Sequence, residues 1–150
     1  MTAITCTRRL TFCAGHRVAG HEGKCRFLHG HNYVVYIEAR AEPGFEGLDG
    51  IGRVIDFSVL KERFGTWIDE NWDHKFLAWA GDDELRDFWH EPATHKAEKL
   101  WPVFWLDYNP TAENIGRVLM ELAPDLMKGT NVRIVSVRVE ETENCSALVF

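Results

Sequence analysis

The sequence predicts an α+β domain in which a four-stranded antiparallel sheet carries two helices on one face. Three observations predict it. Two stretches of apolar–polar alternation lie before residue 43, separated by a glycine-containing loop. From about Asp56, and again from Pro110, apolar residues recur at three- and four-residue intervals, the period of an amphipathic helix. Alternation then returns over residues 131–150, so the order is β-β-α-α-β-β, with the helical segments sharing one apolar layer against the sheet.

Residues 4–14 read as the first strand, with Leu10, Phe12 and Ala14 in phase with His16. Residues 18–26, with Gly20 and Gly23, form a loop that turns the chain back. In the second strand, residues 31–42, Tyr33, Val35, Ile37 and Ala39 alternate with Asn32, Val34, Tyr36, Glu38 and Arg40. Pro43-Gly44 and glycines 47, 50 and 52 mark a turn region. Phe57, Leu60, Phe64, Trp67 and Ile68 then make one helix face that runs out near Asn71; Asp56 or Ser58 suits its N-cap, and capping is the preferred role of Asp56. Thr111 suits the N-cap of the second helix and Glu113 its first turn. Ile115, Val118, Leu119 and Leu122 form its buried stripe, and Pro124 and then Gly129 end it. Val135, Val137, Val139 and Glu141 are in phase in the strand 131–141, and residues 145–150 form the last one. A carboxylate continuing an apolar face is costly unless a partner meets it.

With 150 residues and 45% hydrophobic content, the chain is expected to be a single domain, 1–150. No basic n-region followed by an apolar h-region opens it and no long apolar run follows, so a cytoplasmic protein with no membrane partner is expected. The four cysteines lack C-x-x-C spacing and read as free thiols, with Cys6, Cys13 and Cys145 as small buried hydrophobes. The net charge of −6 argues against a nucleic-acid partner. Its distribution is uneven: residues 1–40 carry six basic and two acidic side chains. A basic zone in an acidic chain suits a small anionic substrate, and Arg17, Lys24 and Arg26 flank the stretch that carries the chemistry.

That stretch is Cys25-Arg26-Phe27-Leu28-His29-Gly30-His31. If residues after Leu28 enter a strand, His29 and His31 point to one face, and His16, ending the preceding strand, supplies a third imidazole. Two histidines on a strand are by themselves more often surface or satisfied core residues. Three nitrogen ligands with the fourth position open, however, are the arrangement of a catalytic zinc site, and Cys25 stands four residues before the pair. Downstream, a carboxylate beside a histidine, Asp73-His74, can hold an imidazole tautomer, although adjacent side chains seldom meet without special backbone geometry.

The complete pattern is Phe12-x-Ala14-x-His16, Cys25-x3-His29-Gly30-His31, Asp73-His74 and Glu141-Thr142. It resembles the family of 6-pyruvoyl-tetrahydropterin and 6-carboxy-tetrahydropterin synthases over all but an insert at about 79–106. The resemblance implies a tunnelling fold (T-fold), with sheets joined edge to edge into an oligomeric barrel, a homohexamer of two stacked trimers with active sites between subunits. It implies Zn2+ on His16, His29 and His31, Cys25 as general base, Asp73 and His74 as a second acid–base group, and Glu141 as pterin anchor. Thr111 and Glu113 match a secondary pterin-binding motif, their helix-start role remaining open. The Cys25-to-His29 spacing resembles the 6-carboxy-5,6,7,8-tetrahydropterin synthases of queuosine biosynthesis more than the pyruvoyl enzymes. The implied substrate is 7,8-dihydroneopterin triphosphate, with loss of triphosphate and acetaldehyde. The alternatives are a 6-pyruvoyl-tetrahydropterin synthase or a non-catalytic pterin-binding relative, and a zinc hydrolase with Glu141 as base, against which stands the lack of H-E-x-x-H. The insert holds Trp79, Trp89, Trp101 and Trp105, read as an element packing on another subunit. Its His90 and His95 match no motif and are not counted as ligands.

Overall fold

The alternation of the first forty residues becomes a long antiparallel pair, β1 (Cys6–His16) and β2 (His29–Ala41), in a register that sets Leu10 opposite Val35, Phe12 opposite Tyr33 and His16 opposite His29. The computed structural model describes residues 3–45, 47–91 and 102–150. Leu10, Phe12 and Ala14 on β1 and Tyr33, Val35, Ile37 and Ala39 on β2 turn one buried face to the helices. The two histidines that begin β2 and the one that ends β1 therefore lie at the same end of that face.

Among the described residues the sheet has six strands rather than four, in the order β4 (Val103–Leu106), β3 (Lys75–Trp79), β1, β2, β5 (Val132–Thr142) and β6 (Cys145–Val149). The expected last two strands are β5 (Val132–Thr142) and β6 (Cys145–Val149), antiparallel to β2 and to each other. The additional strands, β3 (Lys75–Trp79) and β4 (Val103–Leu106), run parallel, β3 to β1 and β4 to β3. Phe76, Leu77 and Ala78 are all buried, so β3 shows no alternation; consecutive apolar residues are what a strand covered on both faces carries. The phase on β5 also differs from the expected one. Glu38 pairs with Ser136 but Ala39 pairs with Ile134, so Val135 is the extra residue of a β-bulge and leaves the face that Val137 and Val139 share.

The first helical segment is α1 (Phe57–Leu60), a π turn (Lys61–Gly65) and α2 (Thr66–Asn71) in succession. Leu60, Phe64 and Ile68, four residues apart, are completely or almost completely buried, each contributing roughly 1.5–3 kcal/mol of burial energy. Phe57, at the first turn, stays exposed instead of joining the stripe. Asp56 caps this start, accepting from Ser58 N–H at 2.8 Å. The segment shares one core with Ile115, Leu119 and Ala123 of α4 (Ala112–Leu126), so both lie on the same sheet face as expected. Pro124 does not end α4, which continues to Leu126; Gly129, at φ 83°, turns the chain toward β5.

Between β3 and β4 lies α3 (Asp83–His90), capped by Asp82, which accepts from Leu85 N–H at 3.1 Å. Within this segment Trp89 is buried, Trp79 donates its indole N–H to the Asp107 carbonyl at 3.1 Å, and Trp105 packs on the Phe76, Ala78 and Leu85 cluster. Three of the four tryptophans thus make contacts within their own chain. Trp101 and His95 lie outside the described residues, and with them the centre of the insert expected at 79–106. All four cysteines are free, but Cys13 and Cys145 are exposed and Cys6 is half-buried, correcting their reading as buried hydrophobes. The phase that buries Phe12 and Ala14 sends Cys13 to the other face.

Candidate metal centre and active site

The register of β1 and β2 brings His16, His29 and His31 together, with one ring nitrogen from each within 4.8 Å of the others. Gly30, between the paired histidines, has no room for a side chain: a Cβ there would lie 2.9 Å from the Ala14 carbonyl oxygen. The strands therefore approach closely where the imidazoles must converge. His16 Nδ1 lies 2.7 Å from the Pro110 carbonyl, and His29 Nδ1 2.7 Å from the Phe27 carbonyl. Carbonyl oxygens only accept, so both protons sit on Nδ1 and both Nε2 atoms present lone pairs.

Those two Nε2 atoms are 3.0 Å apart, and His31 Nε2 is buried without a hydrogen-bond partner. Two lone pairs facing each other beside a third buried ring nitrogen repel unless a cation lies among them. Nitrogens on one tetrahedral zinc would be about 3.3 Å apart, given bonds of about 2.0–2.1 Å. Burial and the neighbouring imidazoles outweigh the Pro110 contact and hold the His16 pKa at about 4, and burial lowers His31 as well. At neutral pH these rings are in the uncharged form that a metal ligand requires. The donor set therefore fits a divalent metal, and the carbonyl contacts orient the ligands from behind.

Cys25 sits half-buried in a 3₁₀ turn (Lys24–Arg26), outside the three-histidine cluster. Val18 N–H donates to the Cys25 carbonyl at 2.8 Å and closes the loop that carries the thiol. Glu141, near the end of β5, is half-buried, and its carboxyl pKa is raised by burial and then by the facing charge of Glu113. Thr111 Oγ1 caps α4, accepting from Asn114 N–H at 3.3 Å, so its helix-start role is real.

Asp73 and His74 do pair, Oδ2 to Nδ1 at 2.7 Å. The backbone makes this possible: His74 has φ 57°, the one positive φ of a non-glycine residue among those described. Such strain persists only where surroundings impose it. Here Cys13 does so, donating its N–H to Asp73 Oδ1 at 2.9 Å and accepting from His74 N–H at 2.7 Å. Burial raises the Asp73 pKa, but the Cys13 and His74 hydrogen bonds outweigh it and leave the carboxyl below its usual range. His74 is largely exposed, lining an open groove with Cys13, Gly15, Gly30 and Asn32, and the pair does not join the three histidines of its own chain.

Three contributors escape a reading of the sequence. Tyr33, two residues beyond His31, is fully buried with an unpaired hydroxyl, and its ring stands edge-on to His16 and His31. Its pKa is raised by burial first and then by the charges of Glu141 and Cys25. Only its phase with His29 and His31 signals it. Pro110 and Asn109 act through backbone and amide contacts that no spacing reveals. Among the flanking cations, Arg17 is committed elsewhere: its guanidinium donates to both Asp82 oxygens at 2.6 and 2.7 Å and to Glu84 at 2.8 Å. Lys24 and Arg26 remain exposed, Arg26 stacking over Phe27 at 4.7 Å.

A curled α+β sheet with three imidazoles converging at one end of its central strand pair defines a T-fold protein with a site able to hold a metal. The chain belongs to the 6-pyruvoyl tetrahydropterin synthase family, whose sequence model matches residues 5–150. It is 39% identical over 143 residues to the 6-carboxy-5,6,7,8-tetrahydropterin synthase of Rickettsia bellii, covering 95% of this chain and 96% of that protein. It is 29% identical over 136 residues to the protein of the same name from Haemophilus influenzae, covering 91% of each. Among solved structures, an uncharacterized protein from Wolinella succinogenes superposes with a TM-score of 0.84 at 23% identity, over 100% of this chain and 99% of that one. The 6-pyruvoyl tetrahydropterin synthase of Caenorhabditis elegans gives 0.63 at 21% identity, over 99% and 96%. These structures show the fold. No described helix is long and apolar enough to cross a membrane.

Proposed function

We propose that the chain is a zinc-dependent carbon–oxygen lyase, a 6-carboxy-5,6,7,8-tetrahydropterin synthase that converts 7,8-dihydroneopterin triphosphate with release of triphosphate and acetaldehyde, in queuosine biosynthesis. The observation that carries it is the set of three converging imidazoles, two with Nδ1 committed to carbonyls, in a chain whose relatives bear that name. A bound zinc would polarise the hydroxyls of the substrate side chain and make the adjacent C–H more acidic. Cys25 takes that proton as the general base. His74, with Nδ1 bonded to Asp73, offers Nε2 for giving or taking a proton at the pterin side. Glu141 accepts paired hydrogen bonds from the 2-amino and ring N–H groups, which provides the partner that a carboxylate on an apolar face needs. Thr111 and Glu113 complete the pterin side, and Lys24 and Arg26 suit the triphosphate.

The Asp73-His74 pair, standing apart from its own histidine cluster, supports a homohexamer whose active sites combine residues of neighbouring subunits. Among the described residues the sheet ends in β4 and β6, each with one edge unpaired, which suits edge-to-edge joining. A cytoplasmic location fits this chemistry.

The second reading is 6-pyruvoyl-tetrahydropterin synthase activity, favoured by the description of the matching family. Product mass after incubation with dihydroneopterin triphosphate decides between them. A carboxylated product with one equivalent of acetaldehyde is expected; a pyruvoyl product without acetaldehyde overturns the choice, and binding without turnover would make the chain a non-catalytic relative.

Glu141→Gln should weaken pterin binding by about 1.5–3 kcal/mol, the worth of a charge-assisted hydrogen bond, and leave the metal in place. The same change should raise the stability of the free protein slightly, because it removes a half-buried charge facing Glu113. In the wild type, pterin affinity should fall as pH drops through the raised Glu141 pKa, starting at a higher pH than for an ordinary glutamate. Calorimetric titration with a pterin across pH, in wild type and variant, checks both: the fall should be absent from the glutamine protein.

A further inference from the structure

We infer that Asn109 is a positioning residue of this active site: its amide holds the loop that carries Cys25 against the start of α4, where the carbonyl that orients His16 also lies. The inference rests on the reading of Cys25 as the base. Asn109 Nδ2 donates to the Ala19 carbonyl at 2.7 Å, and its Oδ1 accepts from Ala19 N–H at 3.0 Å. Pairing with both backbone groups of one residue requires a donor and an acceptor side by side, which only an amide side chain supplies. Ala19 thereby gains the equivalent of a strand neighbour from a residue 90 positions away.

From Ala19 the connection to Cys25 is short. Val18 N–H donates to the Cys25 carbonyl at 2.8 Å, so the two ends of the loop are clipped together one residue before the Asn109 contact. On the other side, Asn109 is itself fixed. Its carbonyl accepts from Thr111 N–H at 2.8 Å and from Asn114 Nδ2 at 2.9 Å, which anchors it to the capped end of α4. The next residue, Pro110, is buried and its carbonyl faces His16 Nδ1 at 2.7 Å. One three-residue segment therefore holds the proton of a metal-ligating imidazole through Pro110 and the thiol loop through Asn109. Without the amide, the loop over residues 18–26 keeps the Val18–Cys25 clip but loses its paired attachment to the body of the protein. Two half-buried backbone groups of Ala19 lose their partners as well.

The test uses full-length zinc-loaded protein with Asn109→Leu, which keeps the shape and removes both hydrogen bonds, and Asn109→Asp, which keeps only the acceptor and sets a carboxylate against the Ala19 carbonyl. Zinc content, kcat, KM and the alkylation rate of each cysteine by iodoacetamide, resolved by peptide mass, are measured together. Both variants should keep one zinc per chain, lose about 10–100-fold in kcat with KM changed less than about twofold, and alkylate Cys25 at least about threefold faster. The exposed Cys13 is the internal reference and should react as in the wild type. Unchanged Cys25 alkylation overturns the inference, whatever happens to kcat. Zinc loss in proportion to activity also overturns it, because the residue would then act through His16 and not through the thiol loop. If Asn109→Leu does not fold, Asn109→Asp carries the same readouts. A wild-type enzyme inactive on the pterin would sink the reading of function, yet leave the alkylation comparison to decide the positioning role.

Discussion

Cys25→Ala should retain its zinc and bind the pterin almost normally while turnover falls by roughly 10²–10⁴-fold, the usual contribution of a positioned acid or base. The thiol lies in its own turn outside the three-imidazole cluster, so its removal takes nothing from the ligand set. Its sequence neighbours Lys24 and Arg26 are both basic, a setting that suits a thiol acting as a base. Metal analysis and single-turnover kinetics on the variant separate the alternatives. Zinc lost with the thiol would mean a closed structural site of three histidines and one cysteine, and X-ray absorption would then find sulfur at about 2.3 Å from the metal in the wild type. Full turnover without the thiol would move the base elsewhere.

The parts of this fold legible in the sequence are those in which one face is buried and the other wet. Leu10, Phe12 and Ala14, and Tyr33, Val35, Ile37 and Ala39, alternate because helices cover one side only of β1 and β2. The same alternation placed His16 at the end of β1 and His29 and His31 at the facing start of β2, so the histidine cluster followed from phase once the strands paired. β3 escaped for the opposite reason: Phe76, Leu77 and Ala78 are buried together, and a run of that length carries no period to distinguish strand from helix. Val135 was put on the wrong face because a bulge changes the phase within a strand without changing its composition.

The candidate site divides in the same way. The candidates distinguished by side-chain type, the histidines, Cys25 and Glu141, are visible in the sequence through spacing and the family resemblance. Residues that act through geometry are not. The Asp73-His74 contact depends on φ 57° at His74, which the backbone of Cys13 supports from 60 positions away. Pro110 contributes only a carbonyl, and Asn109 only an amide directed at a distant loop. A side chain bonded to backbone far along the chain leaves no periodic trace.

His29→Ala should behave unlike Cys25→Ala, because in the proposed site it removes one of three metal ligands and with it the metal. His29 stands at the first residue of β2, its Nε2 3.0 Å from that of His16 and its Nδ1 directed to the Phe27 carbonyl. Two imidazoles cannot complete a tetrahedral site, so zinc occupancy should fall below half after dialysis and turnover should be lost in proportion. The thermal consequence separates a resident metal from an adventitious one. A metal bound to the native state alone stabilises it by RT ln(1 + [L]/Kd), about 2.7 kcal/mol at a hundredfold excess over Kd. Wild-type protein treated with a chelator should therefore melt lower than the zinc-loaded form and recover when zinc is added. His29→Ala should melt at one temperature with or without zinc, since the two remaining lone pairs at His16 and His31 no longer hold a cation in place. Equal zinc content in the variant and the wild type, or a wild-type melting temperature indifferent to the chelator, would show that the three imidazoles are a core feature and not a metal centre.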